Sequence, residues 1–317
     1  MGRPAQTAVA PDVAAGRVTD GGSQAGSGKT EAMMRLLALD IDDTLTGRDQ
    51  KISEANIKAV AWAMSQGVRC TLVTGRRYAL SAAPHADSLG ISGPLGVHYG
   101  RRVVDHPSGR ILANHPLPER AAKTLIELAR TIPGAIISVF LGDDLRFDRF
   151  PEGVKTLPFA QVSEGGLDEA MAARPDDVMS INIVRNEGAA PVVTGNEGLS
   201  PVRAVAEAAG RLFPDLLTCY YAAWAGDPGG LVTVVASSAD KGTALLDIAR
   251  RLGIDPADTV SMGDAVPDIP LLKAAGTGIA MPWSTEEVRR AADAVAEGDP
   301  EDAVAREIYR RLGRPAD

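Results

Sequence analysis

The sequence is poor in the side chains that build thiolate or imidazole metal sites: 317 residues hold only 2 cysteines and 4 histidines. Cys70 and Cys219 lie in separate apolar, strand-like runs with no CxxC pair and no Cys/His cluster, so both read as small buried hydrophobes rather than ligands. His85, His98, His106 and His115 are scattered, and the general reading for each is a solvated or structural side chain. No 18-residue apolar span and no hydrophobic leader segment occurs, so no membrane contact is expected and a cytoplasmic protein is. Positive charge is also scarce: 33 Lys and Arg stand against 41 Asp and Glu, a net charge of -8, which argues against a nucleic-acid surface but leaves a local anion pocket open. No feature of the chain bears on its oligomeric state. What is present is length and apolar content, 45% hydrophobic residues, enough for two domains with cores of their own.

The most informative segment is Leu36-Leu37-Ala38-Leu39-Asp40-Ile41-Asp42-Asp43-Thr44-Leu45. A short apolar run without alternation suits a strand buried on both faces, and α/β sheets bind ligands beyond the carboxyl ends of such strands. Carboxylates at that mouth are costly unless they hold a cation or do chemistry. Side chains two apart on an extended segment share a face, so Asp40 and Asp42 would address one site. Asp40 could ligate Mg²⁺ and attack phosphorus, and Asp42 could pass a proton to a leaving oxygen. A helix cap or a solvated acidic turn is the alternative for this segment alone.

Three later segments point the same way. Val68 to Val73 reads as a second strand ending in Thr74-Gly75-Arg76, which offers a hydroxyl and a free N–H to a phosphoryl oxygen. Asp240-Lys241-Gly242-Thr243 opens an amphipathic helix, so Lys241 sits at a first turn where a cation opposes the helix dipole and anion binding is the better reason for it. Thr259 to Met262 forms another short strand running into Gly263-Asp264, with Asp268 four residues on, and two more carboxylates at a strand end suit a hard cation.

In order and type these segments resemble the haloacid dehalogenase-like (HAD) superfamily of aspartate-nucleophile phosphatases. Asp40-Ile41-Asp42-Asp43-Thr44 fits its DxDxT motif, Thr74 the second motif, Lys241 the third, and Gly263-Asp264 through Asp268 the GDxxxD fourth. The resemblance implies Asp40 as nucleophile, Asp42 as acid and base, and Lys241 with Thr74 and Gly75 as the phosphate cradle. It implies Mg²⁺ as cofactor, held by Asp40, the carbonyl of Asp42, and Asp264, with Asp268 orienting Lys241 or serving as a ligand. Thr44 would position the Asp42 loop. The implied activity is hydrolysis of a small phosphate ester; a phosphotransferase or phosphomutase using the same Asp40, a receiver-like phospho-acceptor, or a scaffold are the alternatives.

Only one helix, Ser53 to Gln66, fits between Asp40 and Thr74, whereas the stretch from Thr74 to Lys241 far exceeds one crossover. Within it we read helices at Pro118 to Thr131 and Pro201 to Phe213, and strands at Ala135 to Leu141, Leu145 to Phe150, Val178 to Val184, Leu217 to Trp224 and Leu231 to Ala236, with a hairpin turn at Gly142-Asp143-Asp144. That makes a self-standing α+β unit, similar to the type-two cap of the Cof-like subfamily IIB, which acts mostly on sugar phosphates and other small phosphate esters. The expected organisation is a Rossmann-like α/β core with a parallel sheet over 33–99 and 237–317, an α+β cap over 100–236, and a disordered tail over 1–32. The tail holds Gly26-Ser27-Gly28-Lys29-Thr30, but Ser23 stands where a P-loop needs glycine and no strand precedes it, so nucleotide binding is not expected there. Two departures from the subfamily, Pro267 in the fourth motif and His98-Tyr99-Gly100-Arg101 at the cap entry, leave the phosphate chemistry in place and affect the substrate. Candidate substrate contacts are Arg76, His98, Arg101, Asp144, Arg146, Tyr221 and Trp224, with Arg102, Asp143 and Tyr220 on the same turns and strand ends.

Overall fold

The computed structural model describes residues 6–7, 34–47, 49–148, 160–162, 166–185, 200–224 and 227–313. Apart from Gln6–Thr7, the tail expected over 1–32, with Gly26 to Thr30 in it, lies outside the described residues.

A five-stranded parallel sheet forms the core, in the order Ala294–Val295, Thr277–Ala280, Thr259–Gly263, Leu36–Leu39, Arg69–Leu72. All four residues of Leu36–Leu39 are buried, Leu37 and Leu39 against Ala59, Val60 and Ile308, and Leu36 and Ala38 against Leu245, Ile248 and Ala249. Helices thus cover both faces, which is why the run shows no alternation. Helix Glu54–Ser65 starts where the Ser53 side chain accepts the Asn56 N–H, and helix Lys241–Leu252 starts where Asp240 accepts the Thr243 N–H. The second helix ends at Gly253 in the left-handed conformation.

Val73 pairs in parallel with Gly96 and leads the core sheet into a three-stranded antiparallel sheet, Gly93–Val97, Arg102–His106 and Arg110–Asn114. Its second and third strands fall inside the range 100–236 expected for the cap, yet Val103 packs in the same apolar cluster as Leu36 and Leu245. These strands escaped the sequence reading because Gly93, Pro94 and Gly96 depress the strand signal.

A seven-stranded sheet forms the second layer system, in the order Gln6–Thr7, Leu217–Trp224, Asp227–Ala236, Val178–Arg185, Ala135–Leu141, Asp144–Phe147, Ala160–Val162. All its pairs are antiparallel except the last. Helices Glu119–Arg130, Leu167–Ala173 and Pro201–Leu212 bury one face of it, through Ile137, Val139, Ile181, Ile183, Val232 and Val234. The other face carries, in register across four strands, Tyr220, Thr233, Asn182 and Ser138. No helix among the described residues is long and apolar enough to cross a membrane.

Candidate active site

Asp40 ends the nucleophile strand, with its N–H donating to the Met262 carbonyl at 3.1 Å. The chain then folds into a tight turn, Ile41–Leu45, closed by the Thr46 N–H and hydroxyl, which both donate to the Ile41 carbonyl at 2.9 and 3.0 Å. Within it Asp43 takes φ 55, which turns its carbonyl towards Trp283, whose indole N–H donates to it at 2.7 Å. Three parallel strands end side by side here, and one carboxylate oxygen each from Asp40, Asp264 and Asp268 lies within 4.8 Å of the others. Thr44 donates its hydroxyl to Asp264 at 3.0 Å. Burial, then the neighbouring carboxylates, push the Asp40 and Asp264 carboxyls well above their ordinary range, with Lys241 acting against the rise. So crowded a set of oxygens gains from a hard cation among them.

Lys241, 3% exposed, donates to Asp40 at 2.6 Å and to Asp268 through a shorter contact. Burial alone would lower its pKa; the two carboxylates outweigh it and hold the ammonium protonated. The other Asp268 oxygen accepts the N–H groups of Asp264 and Ala265 at 3.2 and 2.9 Å, so Asp268 fixes both the ammonium and the fourth-motif loop. Gly242 makes this approach possible, since a Cβ there would lie 2.4 Å from the Pro270 carbonyl. Pro267 is buried in the single turn Val266–Asp268 that aims Asp268.

Thr74 is fully buried and its hydroxyl accepts the Arg76 N–H at 3.1 Å. Arg76 grips Asp42 with two bonds, 2.9 and 2.8 Å, and also donates to Gln50 at 3.0 Å. Such a fork fixes the orientation of the Asp42 carboxyl. Over Gly75 lies the ring of Tyr99, where a Cβ would come within 2.7 Å of it. Tyr99 in turn meets the Tyr220 ring at 5.0 Å, so the polar face of the cap sheet looks towards the phosphate loop. A second contact seats the cap hairpin on the core: Asp143 accepts the N–H groups of Tyr78 and Ala79 at 2.8 and 3.0 Å, and Arg77 donates to the Asp143 carbonyl at 2.8 Å.

Of the residues read from sequence, Asp40, Asp42, Thr74, Gly75, Arg76, Lys241, Asp264 and Asp268 come together here. His98 is buried at the seam, edge-on to Phe140 at 6.0 Å, with Nε2 unbonded; burial first, then Arg102 and Arg77, push its pKa down to about 3. Arg101, three residues on, is also buried. Three expected contacts are not at the site. Tyr221 belongs to the helix-covered face, under the Arg203 guanidinium at 5.1 Å, and its neighbour Tyr220 occupies the site-facing position instead. Asp144 pairs with Arg174 at 2.6 Å at the cap edge, and Arg146 lies opposite Val139 on the same helix-covered side. The reason is parity: successive strand side chains point to opposite faces, so an error of one residue reverses the assignment. The side chain of Trp224 lies outside the described residues. Sequence reasoning missed Trp283, Thr233 and Asn182; Trp283 follows the carboxyl end of core strand Thr277–Ala280, a position that could have flagged it.

Comparison with known proteins agrees with this geometry. The sequence profile of haloacid dehalogenase-like hydrolases matches residues 37–308. Phosphatase YwpJ of Bacillus subtilis is 25% identical over 300 residues, covering 86% of this chain and 98% of that protein. Pyridoxal phosphate phosphatase YbhA of Escherichia coli is 25% identical over 284 residues, covering 88% and 98%. Phosphoglycolate phosphatase of Methanopyrus kandleri is 47% identical, but over 86 residues, which span 27% of this chain and 37% of that protein. Among solved structures, the phosphatase BT1666 of Bacteroides thetaiotaomicron superposes with TM-score 0.69 at 21% identity, covering 92% of this chain and 99% of that one. The subclass IIB sugar phosphatase BT4131 gives 0.67 at 19% identity, covering 88% and 99%. Matched along almost its whole described length, this chain belongs to the haloacid dehalogenase-like hydrolase family.

Proposed function

We propose that this chain is a Mg²⁺-dependent phosphatase that hydrolyses a small sugar or sugar-like phosphate monoester through an aspartyl-phosphate. The observation that carries the reading is the buried ammonium of Lys241 between Asp40 and Asp268, beside Asp264, at the mouth of three parallel strands. An all-oxygen donor set fits Mg²⁺, with Asp40, Asp264 and the Asp42 carbonyl as its holders. Bound there, the ion would supply charge compensation between these carboxylates and a phosphate dianion.

The residues divide the remaining work. Asp40 attacks phosphorus in line, and the departing alkoxide takes its proton from Asp42. Having given up its proton in the first step, Asp42 then removes one from the water that opens the aspartyl-phosphate, with Arg76 holding its carboxylate in place. Lys241, the Thr74 hydroxyl and the Gly75 N–H take up charge on the transferring oxygens, which is where most catalysis of phosphoryl transfer resides. Tyr220, Thr233, Asn182 and Ser138 give substrate hydroxyls partners once water is excluded, which supports a hydroxylated leaving group. A cytoplasmic setting belongs to the same proposal.

Phosphate release from hexose, pentose, polyol and nucleoside phosphates, with Mg²⁺ and with EDTA, tests it. We expect Mg²⁺-dependent turnover that Asp40→Asn abolishes. Release that survives Asp40→Asn would refute the nucleophile assignment.

A further inference from the structure

The chain carries a net charge of -8, yet the seam between core and cap gathers Arg77, Arg101 and Arg102. Arg102 is paired with Asp177 at 2.7 Å. Arg101 is different: it is 1% exposed, and among the described residues no carboxylate lies within ion-pair distance of it. Its Nε donates to the Ala236 carbonyl at 2.9 Å, and its Nη1 donates to the Tyr99 carbonyl at 2.7 Å and to the Tyr220 hydroxyl at 3.3 Å. The guanidinium lies 5.7 Å from the centre of the Tyr220 ring. Its Nη2 has no acceptor among the described residues. Neutral carbonyls and a ring face offset part of the cost of burying a cation, but a guanidinium with a spare pair of N–H groups and no counter-ion has the donor geometry of an anion site.

The position of this cation relative to the chemistry is fixed by its neighbours. Tyr99, whose carbonyl it holds, has its ring on Gly75 of the phosphate cradle. Gly100 is pressed against the start of the Lys241 helix, where a Cβ would lie 2.2 Å from the Asp240 carbonyl. Arg101 follows directly on Gly100, so its backbone stands beside the start of the Lys241 helix. The longest of its bonds, to Tyr220, is also its only hydrogen bond to a side chain, whereas the other two go to main-chain carbonyls.

We propose that Arg101 is a specificity-determining residue that receives a second anionic group of the substrate, a carboxylate or a second phosphate. The substrate class is then a small, hydroxylated phosphate ester bearing a further acid. This rests on the phosphatase reading above, and binding and turnover separate the two. In the Asp40→Asn protein with Mg²⁺, calorimetry should find 6-phosphogluconate bound at least about tenfold more tightly than glucose 6-phosphate, the difference one charge-assisted bond supplies. Fructose 1,6-bisphosphate against fructose 6-phosphate asks the same of a second phosphate and tells the two acids apart. Adding Arg101→Met should bring each preferred ratio close to one, and Arg101→Lys should keep part of it.

Equal binding within both pairs would overturn the proposal on the Asp40→Asn protein alone, even if Arg101→Met fails to fold. If Arg101→Met weakens both members of a pair alike and leaves the ratio, the guanidinium is a structural pin and the proposal falls. Wild-type turnover of neutral esters with no acid preference removes this proposal and keeps the phosphatase. Acid-selective binding without phosphate release from any ester removes the phosphatase and keeps Arg101 as an anion site.

Discussion

The two sheets place their chemistry by opposite rules. In the parallel core, strands such as Leu36–Leu39 are buried throughout, and the reactive groups stand beyond their carboxyl ends: Asp40, Thr74, Asp264. In the antiparallel cap, polar groups sit in mid-strand on one face, Tyr220, Thr233, Asn182 and Ser138, while their immediate neighbours Tyr221, Val232, Ile181 and Ile137 are core. In the proposed reading, catalysis follows from where a strand stops, and specificity from which parity a residue has.

The largest test of that contrast lies at the core. Lys241→Ala removes the buried cation that faces the transferring group, and kcat should fall by about 10²–10³ or more, as for loss of one preorganised charge-stabilising donor. A fall of less than tenfold would mean that the ammonium serves the fold and not the reaction. Adjacent cap residues should then separate cleanly. Ile181→Ala, on the covered face, should cost about 2–5 kcal/mol in urea unfolding and leave KM alone. Asn182→Ala, one residue on, should cost little stability and lower kcat/KM on a hydroxylated ester by about 5–50-fold, through one unmet polar partner. If the two variants exchanged these phenotypes, the assignment of faces would be wrong.

These residues also mark how much was legible beforehand. The residues of the proposed core site could be read as a group, because Asp40, Thr74 and Asp264 each follow an apolar run that suits a buried parallel strand, and Ser53 and Asp240 announced the helices they cap. In the cap the elements could be read but their faces could not. Tyr220-Tyr221 is a pair in which both residues suit either side, and only the register with Thr233 and Asn182 decides. The three-stranded sheet over 93–114 was missed because glycine and proline hide its first strand, and it is held by the core cluster rather than by local propensity. Trp283 gave no periodic signal, being a loop residue whose partner is a carbonyl 240 positions away.

At the seam the expected effect is intermediate and depends on pH. The folded-state pKa of His98, about 3, lies below the ordinary 6.5, so between those values the unfolded chain binds the extra proton. Its neutral burial costs nothing above pH 6.5, and stability falls as pH drops towards 3, by about 1.4 kcal/mol per unit. His98→Asn keeps a side chain suited to φ 51 and removes the titration. Urea unfolding at pH 4 to 7 should show a shallower acid decline for the variant than for the wild type; parallel declines would mean that the imidazole is hydrated.

The smallest effect should come from Trp283, and it bears on the rule that strand ends hold the chemistry. Its indole N–H donates to the carbonyl of Asp43, the residue that follows the proposed acid and base, in a turn where a non-glycine φ of 55 carries some strain. Trp283→Phe keeps most of the ring and removes that bond, worth about 0.5–1.5 kcal/mol, so kcat should drop about 2–12-fold. The loss should fall on kcat and not on KM, because the bond holds the Asp42 turn and touches no leaving group. A rise in KM with kcat unchanged would place Trp283 against the substrate, and the core strand ends would then share in specificity.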